Sequence, residues 1–298
     1  MAAIPDPIRL DPAFAEPDRV WSCIRGGAPY RLQAEVDRSH DAELHPPWFR
    51  GYWTVPGHSF VPEAEPLLEE PALVDAARRC FAAEVVRPQT IMVNVAGPME
   101  ASPPHTDLPW FRGAPARTHP VPLLYAMMRS GLFDRWAIRV ASALVWFHPG
   151  EGGAFEYWPE GPSGASQRER APLWNVALVG DNDRMLHRVE ATGPTGPRIP
   201  RGATLHPCGD DAWEVRTGAG SLCRYEREQV RISVLWKAHV FRDAEEAKIF
   251  DAASDDLDPS RIEARFVEDA RRRGRGLPRS ASPLEDAAWI DAVSALYP

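Results

Sequence analysis

The sequence predicts a single, mainly β domain with helices at its ends, and three observations support this. Strand-like runs rich in Val, Ile and aromatic residues recur between 89 and 241, bounded by Gly or Pro. The 31 prolines and 21 glycines favour a turn-rich β core over a helix bundle. Helical periodicity is confined to 71–86, 121–136 and the tail beyond 243.

Taken in order, residues 1–65 carry Trp21, Trp48, Phe49, Tyr52 and Trp53 among prolines, which suggests loops and short strands covering part of a core. The stretch 71–86 predicts a helix: Leu73, Val74, Ala77, Cys80, Phe81 and Val85 share one face, and Pro71 suits the first turn. Residues 89–96 read as a strand. In 121–136, Leu123, Leu124, Met127, Met128 and Leu132 form an apolar helical stripe suited to core packing. Strands are then expected at 138–147, 154–158 and 173–179, the first two joined as a hairpin through His148–Gly153. Gly180-Asp181-Asn182-Asp183 reads as a turn from which 184–191 pairs back. Residues 192–212 read as an inserted loop, 213–216 with 223–225 as a hairpin, and 229–241 as the last strong strand. In the tail, 260–274 and 282–297 are amphipathic, with Ser260 and Ser282 as expected N-caps.

A net charge of −8 argues against a general nucleic-acid binder. Lys237 and Lys248 are the two lysines among many arginines, which reads as codon bias. Cys23, Cys80, Cys208 and Cys223 form no CxxC pair, so neither a zinc knuckle nor a redox motif is indicated. The opening Met1-Ala-Ala-Ile-Pro-Asp-Pro has no signal-like region, and no apolar stretch is long enough for a bilayer. A cytoplasmic protein acting on a small molecule, without nucleic acid or membrane, is the expectation.

Chemistry concentrates first at Pro104-His105-Thr106-Asp107. On an extended backbone, favoured by the neighbouring prolines, His105 and Asp107 point to one face and make two adjacent donors for a divalent metal. His187, in a strand-like run after the Gly180–Asp183 turn, is the candidate third ligand. His206 is the rival, although it precedes Pro207 in the expected loop. Two His and one carboxylate on one face leave open positions, the arrangement of non-haem Fe(II) oxygenases. Further on, Arg231, Ser233 and Leu235 share one face of an apolar strand. An arginine there is costly to bury alone, and a ligand carboxylate would relieve that cost.

The order His105-Thr106-Asp107, His187, Arg231-Ile232-Ser233 resembles the HxD…H…RxS pattern of Fe(II)/2-oxoglutarate-dependent oxygenases, over roughly 89–241. The resemblance implies a double-stranded β-helix (jelly-roll, cupin-like) core with flanking helices. It implies that His105, Asp107 and His187 bind Fe(II), and that Arg231 and Ser233 hold the distal carboxylate of 2-oxoglutarate. It further implies O2-dependent oxidation of a substrate coupled to decarboxylation of 2-oxoglutarate to succinate. Related halogenases carry a small residue where Asp107 stands, so a hydroxylase-type enzyme is expected. The family usually places its Arg shortly after the second His; here 192–228 intervenes and reads as an insertion able to contribute to the substrate pocket. Trp110 and Arg112 could supply an aromatic wall and an anion contact for a substrate such as an amino acid, a peptidyl residue or a secondary metabolite. The alternatives are a jelly-roll metalloenzyme that does not use 2-oxoglutarate, and a non-catalytic binding protein.

Overall fold

A computed structural model describes residues 3–37 and 42–297. Eight strands frame the site: β1 (Trp48–Val55), β2 (Val85–Ala96), β3 (Ala137–His148), β4 (Phe155–Trp158), β5 (Gln167–Glu169), β6 (Leu173–Gly180), β7 (Leu186–Val189) and β8 (Arg231–Phe241). The larger sheet runs β6-β3-β8-β2-β1, every neighbouring pair antiparallel. The smaller runs β5-β4-β7, and an isolated antiparallel bridge between His105 and His187 adds the 102–105 segment beside β7. Two facing sheets of interleaved strands, β6-β3-β8-β2 against β5-β4-β7-(102–105), constitute a double-stranded β-helix.

That topology corrects the pairings expected from local turns. β3 and β4 do not form a hairpin, and β6 does not pair with β7. The turns at 148–153 and 180–183 instead carry the chain from one sheet to the other. Adjacency in sequence normally favours pairing, and it holds for β4 with β5, but β3, β6 and β7 find their partners across the chain.

The outer face of the larger sheet is the main core. Ile91, Val93, Val95, Ala143, Val145, Ile232, Val234 and Trp236 are buried there with Val20 and Ile24 of α1 (Pro17–Gly26) and Leu73, Ala76 and Ala77 of α2 (Pro71–Cys80). α1 is a helix within a region expected to be loops and strands. α2 ends at Cys80, earlier than its apolar spacing suggested, because Ala82 turns to φ 46° and β2 already starts at Val85. Between the sheets, Trp146, Val176 and Leu178 meet Phe155, Tyr157 and Met185.

Within 192–228, expected in part as a loop, strands form at 199–200, 204–208, 212–217 and 220–225. Thr204–Cys208, Ala212–Thr217 and Gly220–Tyr225 extend the larger sheet beyond β1 through the short strand Tyr30–Leu32.

A third cluster joins α3 (Val121–Ser130) to the tail, where α4 (Ala244–Ala252) sets Phe250 against Phe241 of β8, and α5 (Pro259–Arg272) and α6 (Ala287–Leu296) meet α3 around Leu123, Leu124, Met127, Phe133, Phe266 and Trp289. Asp258 and Asp286 accept the capping hydrogen bonds of α5 and α6, where serines were expected. Arg112 clamps the tail to this cluster through Asp255 (2.6 Å) and Asp256 (2.9 Å). Gly113, at φ 79°, lies so close to the Leu257 backbone that any Cβ would collide with it. Among the described residues no helix is long and apolar enough to cross a membrane.

Trp236 is wholly buried in the main core, and its indole N–H donates to the Leu68 carbonyl at 2.8 Å. Trp236→Ala should cost about 3–5 kcal/mol, read as a lowered midpoint of urea unfolding.

Candidate metal centre

The site is assembled by backbone pairing. The His105 N–H donates to the His187 carbonyl and the His187 N–H to the His105 carbonyl, each at 2.9 Å. Residues paired this way present their side chains on the same face, and the two imidazole centroids lie 4.5 Å apart. Two residues on, the Asp107 N–H donates to the Asn182 carbonyl at 2.8 Å, tying the carboxylate to the Gly180–Asp183 turn. One donor atom from each of His105, Asp107 and His187 falls within 4.8 Å of the others.

Both histidines are held in one tautomer. Nδ1 of His105 lies 3.0 Å from the Pro103 carbonyl, and Nδ1 of His187 lies 2.8 Å from the Met185 carbonyl. A carbonyl only accepts, so each Nδ1 carries the proton and each Nε2 keeps its lone pair for a metal. Burial and the neighbouring His187 imidazole lower the His105 pKa, favouring the neutral form. Burial alone would raise the Asp107 carboxyl. Lys237 and His187 outweigh it and hold the group well below the usual carboxylate range. Metal binding requires deprotonated ligands, and these two are set in that state.

Arg231, Ser233 and Lys237 line the inner face of β8. Ser233 pairs with Asn94 on β2 and Trp146 on β3; Lys237 pairs with Thr90 and Ser142. The Arg231 side chain is buried, and its Nε donates to the Gly153 carbonyl at 2.7 Å. Its Nη2 has no hydrogen-bond partner, and burial alone pulls the guanidinium down to about 10. A Cβ on Gly153, at φ 59°, would lie 2.8 Å from Arg231 Cδ, so a glycine is needed for this approach. Lys237 Nζ donates to Asp107 Oδ2 at 2.8 Å and stands 3.8 Å from Asp183 Oδ1.

The other candidates fall elsewhere. His206 lies on the Thr204–Cys208 strand, its Nε2 2.9 Å from the Thr204 hydroxyl and outside the triad. Arg112 is committed to Asp255 and Asp256, so the anion contact expected of it is made within the chain. Trp110 is 42% exposed and packs edge-on to His239 at 5.4 Å. His239 is buried with neither ring nitrogen partnered, and burial lowers it to about 4. Asn94 accepts from Arg50 at 2.8 Å and from the Trp48 indole at 3.3 Å. Lys237 is the contributor that sequence reasoning missed; its alternation with Arg231 and Ser233 along one strand face was the available signal.

No family model and no curated protein matches the sequence. Solved structures with similar topology include an oxidoreductase of the 2OG-Fe(II) oxygenase family from Burkholderia pseudomallei. It is 12% identical, with TM-score 0.43, covering 78% of this chain and 85% of that one. The non-haem alpha-ketoglutarate-dependent carbocyclase SnoK from nogalamycin biosynthesis is 11% identical, with TM-score 0.45, over 85% and 89% of the two chains. A prolyl hydroxylase from Trichoplax adhaerens, in complex with a hypoxia-inducible factor peptide fragment, is 11% identical, with TM-score 0.42, over 81% and 86%. With likeness this distant, the chemistry is read from the site itself.

Beside the triad, burial raises the Asp181 carboxyl to about 6. Its folded value exceeds the ordinary one, so its contribution to stability is fully present below about pH 4 and is lost as pH rises through about 6. Asp181→Asn should therefore be more stable than wild type by about 1–3 kcal/mol at pH 8. The two should converge near pH 4, as thermal melts across that range will read.

Proposed function

We propose that this protein is an Fe(II)- and 2-oxoglutarate-dependent oxygenase of the hydroxylase type, oxidising a small organic substrate with O2 and releasing succinate. The observation that carries the reading is the pairing of two features on one fold. A two-His, one-carboxylate donor set stands on one side, and a buried guanidinium with no carboxylate of its own stands on the strand beneath. The donor set suits a ferrous ion and leaves coordination positions open. Held by His105, Asp107 and His187, that ion supplies the redox chemistry that couples O2 to decarboxylation. The chain's own residues do the rest. The Nδ1–H bonds to Pro103 and Met185 orient the two imidazoles. Arg231 and Ser233 receive the far carboxylate of the diacid, and the buried polar edge of Arg231 Nη2 finds there the partner it otherwise lacks.

The substrate is assigned to a groove of about 560 Å³ whose walls include His45, Trp48, Met99, Ser102, Pro103 and Arg198. Its volume suits a small molecule. Ser102 and Pro103 run directly into His105, and Arg198 comes from the 192–228 insertion. Trp48 offers an aromatic face, and His45 Nε2 is buried without a partner.

Anaerobic protein given Fe(II) and 2-oxoglutarate should develop the weak visible band of the metal chelate. His105→Ala and His187→Ala should abolish it. Arg231→Ala should keep metal binding and weaken 2-oxoglutarate by roughly 30-fold or more, since a buried charged partner is lost. Indifference of the band to Arg231→Ala would favour a metalloenzyme that does not use 2-oxoglutarate. Absence of the band from wild type would overturn the reading.

A further inference from the structure

We infer that Lys237 is a positioning residue for Asp107: it engages one carboxylate oxygen so that the other alone is offered to the metal. The inference rests on the metal-centre reading above and concerns how many positions that centre leaves open.

The two oxygens of Asp107 face different neighbours. Oδ1 lies 3.6 Å from His187 Nε2 and belongs with the donor cluster. Oδ2 accepts from Lys237 Nζ at 2.8 Å. The only other carboxylate oxygen within ion-pair distance of Nζ among the described residues is Asp183 Oδ1, at 3.8 Å, too far for a hydrogen bond. Lys237 is largely buried, with 12% of its side chain exposed. It stands in an eleven-residue strand paired on both sides, opposite Thr90 and Ser142. A buried ammonium is expensive unless paired, and Asp107 is the group it is paired with.

Two consequences follow from geometry and charge. A carboxylate free to swing can chelate with both oxygens and take two coordination positions. One whose second oxygen is fixed takes one, and three protein donors then leave three positions. A chelating keto-acid and O2 would share the positions so left open. The ammonium also places a positive charge beside the metal, which weakens metal binding relative to a bare carboxylate. Lys237 thus gives up some metal affinity to keep the coordination sphere open.

The test compares wild type, Lys237→Met and Lys237→Arg, loaded anaerobically with Co(II). Calorimetry reads Co(II) affinity, visible absorption reads coordination geometry, and a second titration reads 2-oxoglutarate binding to the Co(II) protein. Lys237→Met should bind Co(II) about tenfold or more tightly, show an altered visible spectrum, and bind 2-oxoglutarate about tenfold or more weakly. Lys237→Arg, which keeps charge and donor, should restore the wild-type spectrum and both affinities. A lysine that merely supported the fold would weaken Co(II) and 2-oxoglutarate together, and that result overturns the inference, as does a Lys237→Met protein identical to wild type. If Lys237→Met fails to fold, Lys237→Gln carries the affinity comparison, because it removes the charge but keeps an N–H donor for Asp107 Oδ2; it should bind Co(II) more tightly than wild type while keeping the wild-type spectrum, and Co(II) affinity equal to or below wild type overturns the inference. A wild type that binds no Co(II) overturns the metal centre and this inference together. Wild-type binding with an unaltered variant overturns this inference alone.

Discussion

The reciprocal hydrogen bonds between His105 and His187 are the constraint on which the site depends. They are two ordinary backbone bonds, yet they join segments far apart in sequence and extend the smaller sheet past β7. The same pairing that completes the second layer of the fold sets both imidazoles on one face. Folding and assembly of the centre are therefore one event. Loss of the bridge would separate the ligands and expose the edge of β7 at once.

That His105 and Asp107 share a face was legible in the sequence because it rests on a local rule, whereas the bridge that brings His187 beside them is long-range. Residues two apart on an extended chain share a face, and the prolines around His105 keep that chain extended. Arg231 and Ser233 were legible for the same reason. Strand pairing was not, because in this double-stranded β-helix the turns after β3 and β6 switch the chain to the other sheet. Gly180–Asp183 has the composition of a hairpin turn, but it sends Leu186–Val189 to Phe155–Trp158 and leaves Leu173–Gly180 with Ala137–His148. Turn composition fixes the local bend; which edge is free to accept the next strand is decided by the whole sheet. The insertion shows the converse. Its Gly, Pro and charged residues read as loop, but the edge left open by Tyr30–Leu32 recruits Thr204–Cys208 as a strand.

Lys237 escaped notice because composition was considered before position. Scarcity of lysine points to codon usage, which says nothing about where a particular lysine sits. Alternation along β8 puts it on the face of Arg231 and Ser233, opposite the wholly apolar face of Ile232, Val234 and Trp236. Three polar residues on one side of such a strand mark a lined interior, and a lined interior without a ligand's chemistry would be hard to justify energetically.

The two cations of β8 differ in one respect, and the difference sets apart the two ends of the strand's polar face. Lys237 finds Asp107 within the chain, so its charge is balanced before anything binds. Arg231 has a single backbone carbonyl and an unpartnered Nη2, so its charge is balanced only from outside. A buried charge left unpaired costs stability, and a fold under selection for stability alone would replace it with an apolar residue. That it stands in the interior, with Gly153 making room for its stem, distinguishes it from Lys237, which already has its ion pair. One strand face thus carries two buried cations of opposite circumstance: Lys237 with its counter-ion in the chain, and Arg231 with a backbone carbonyl alone, and it is this asymmetry that the proposed diacid site uses.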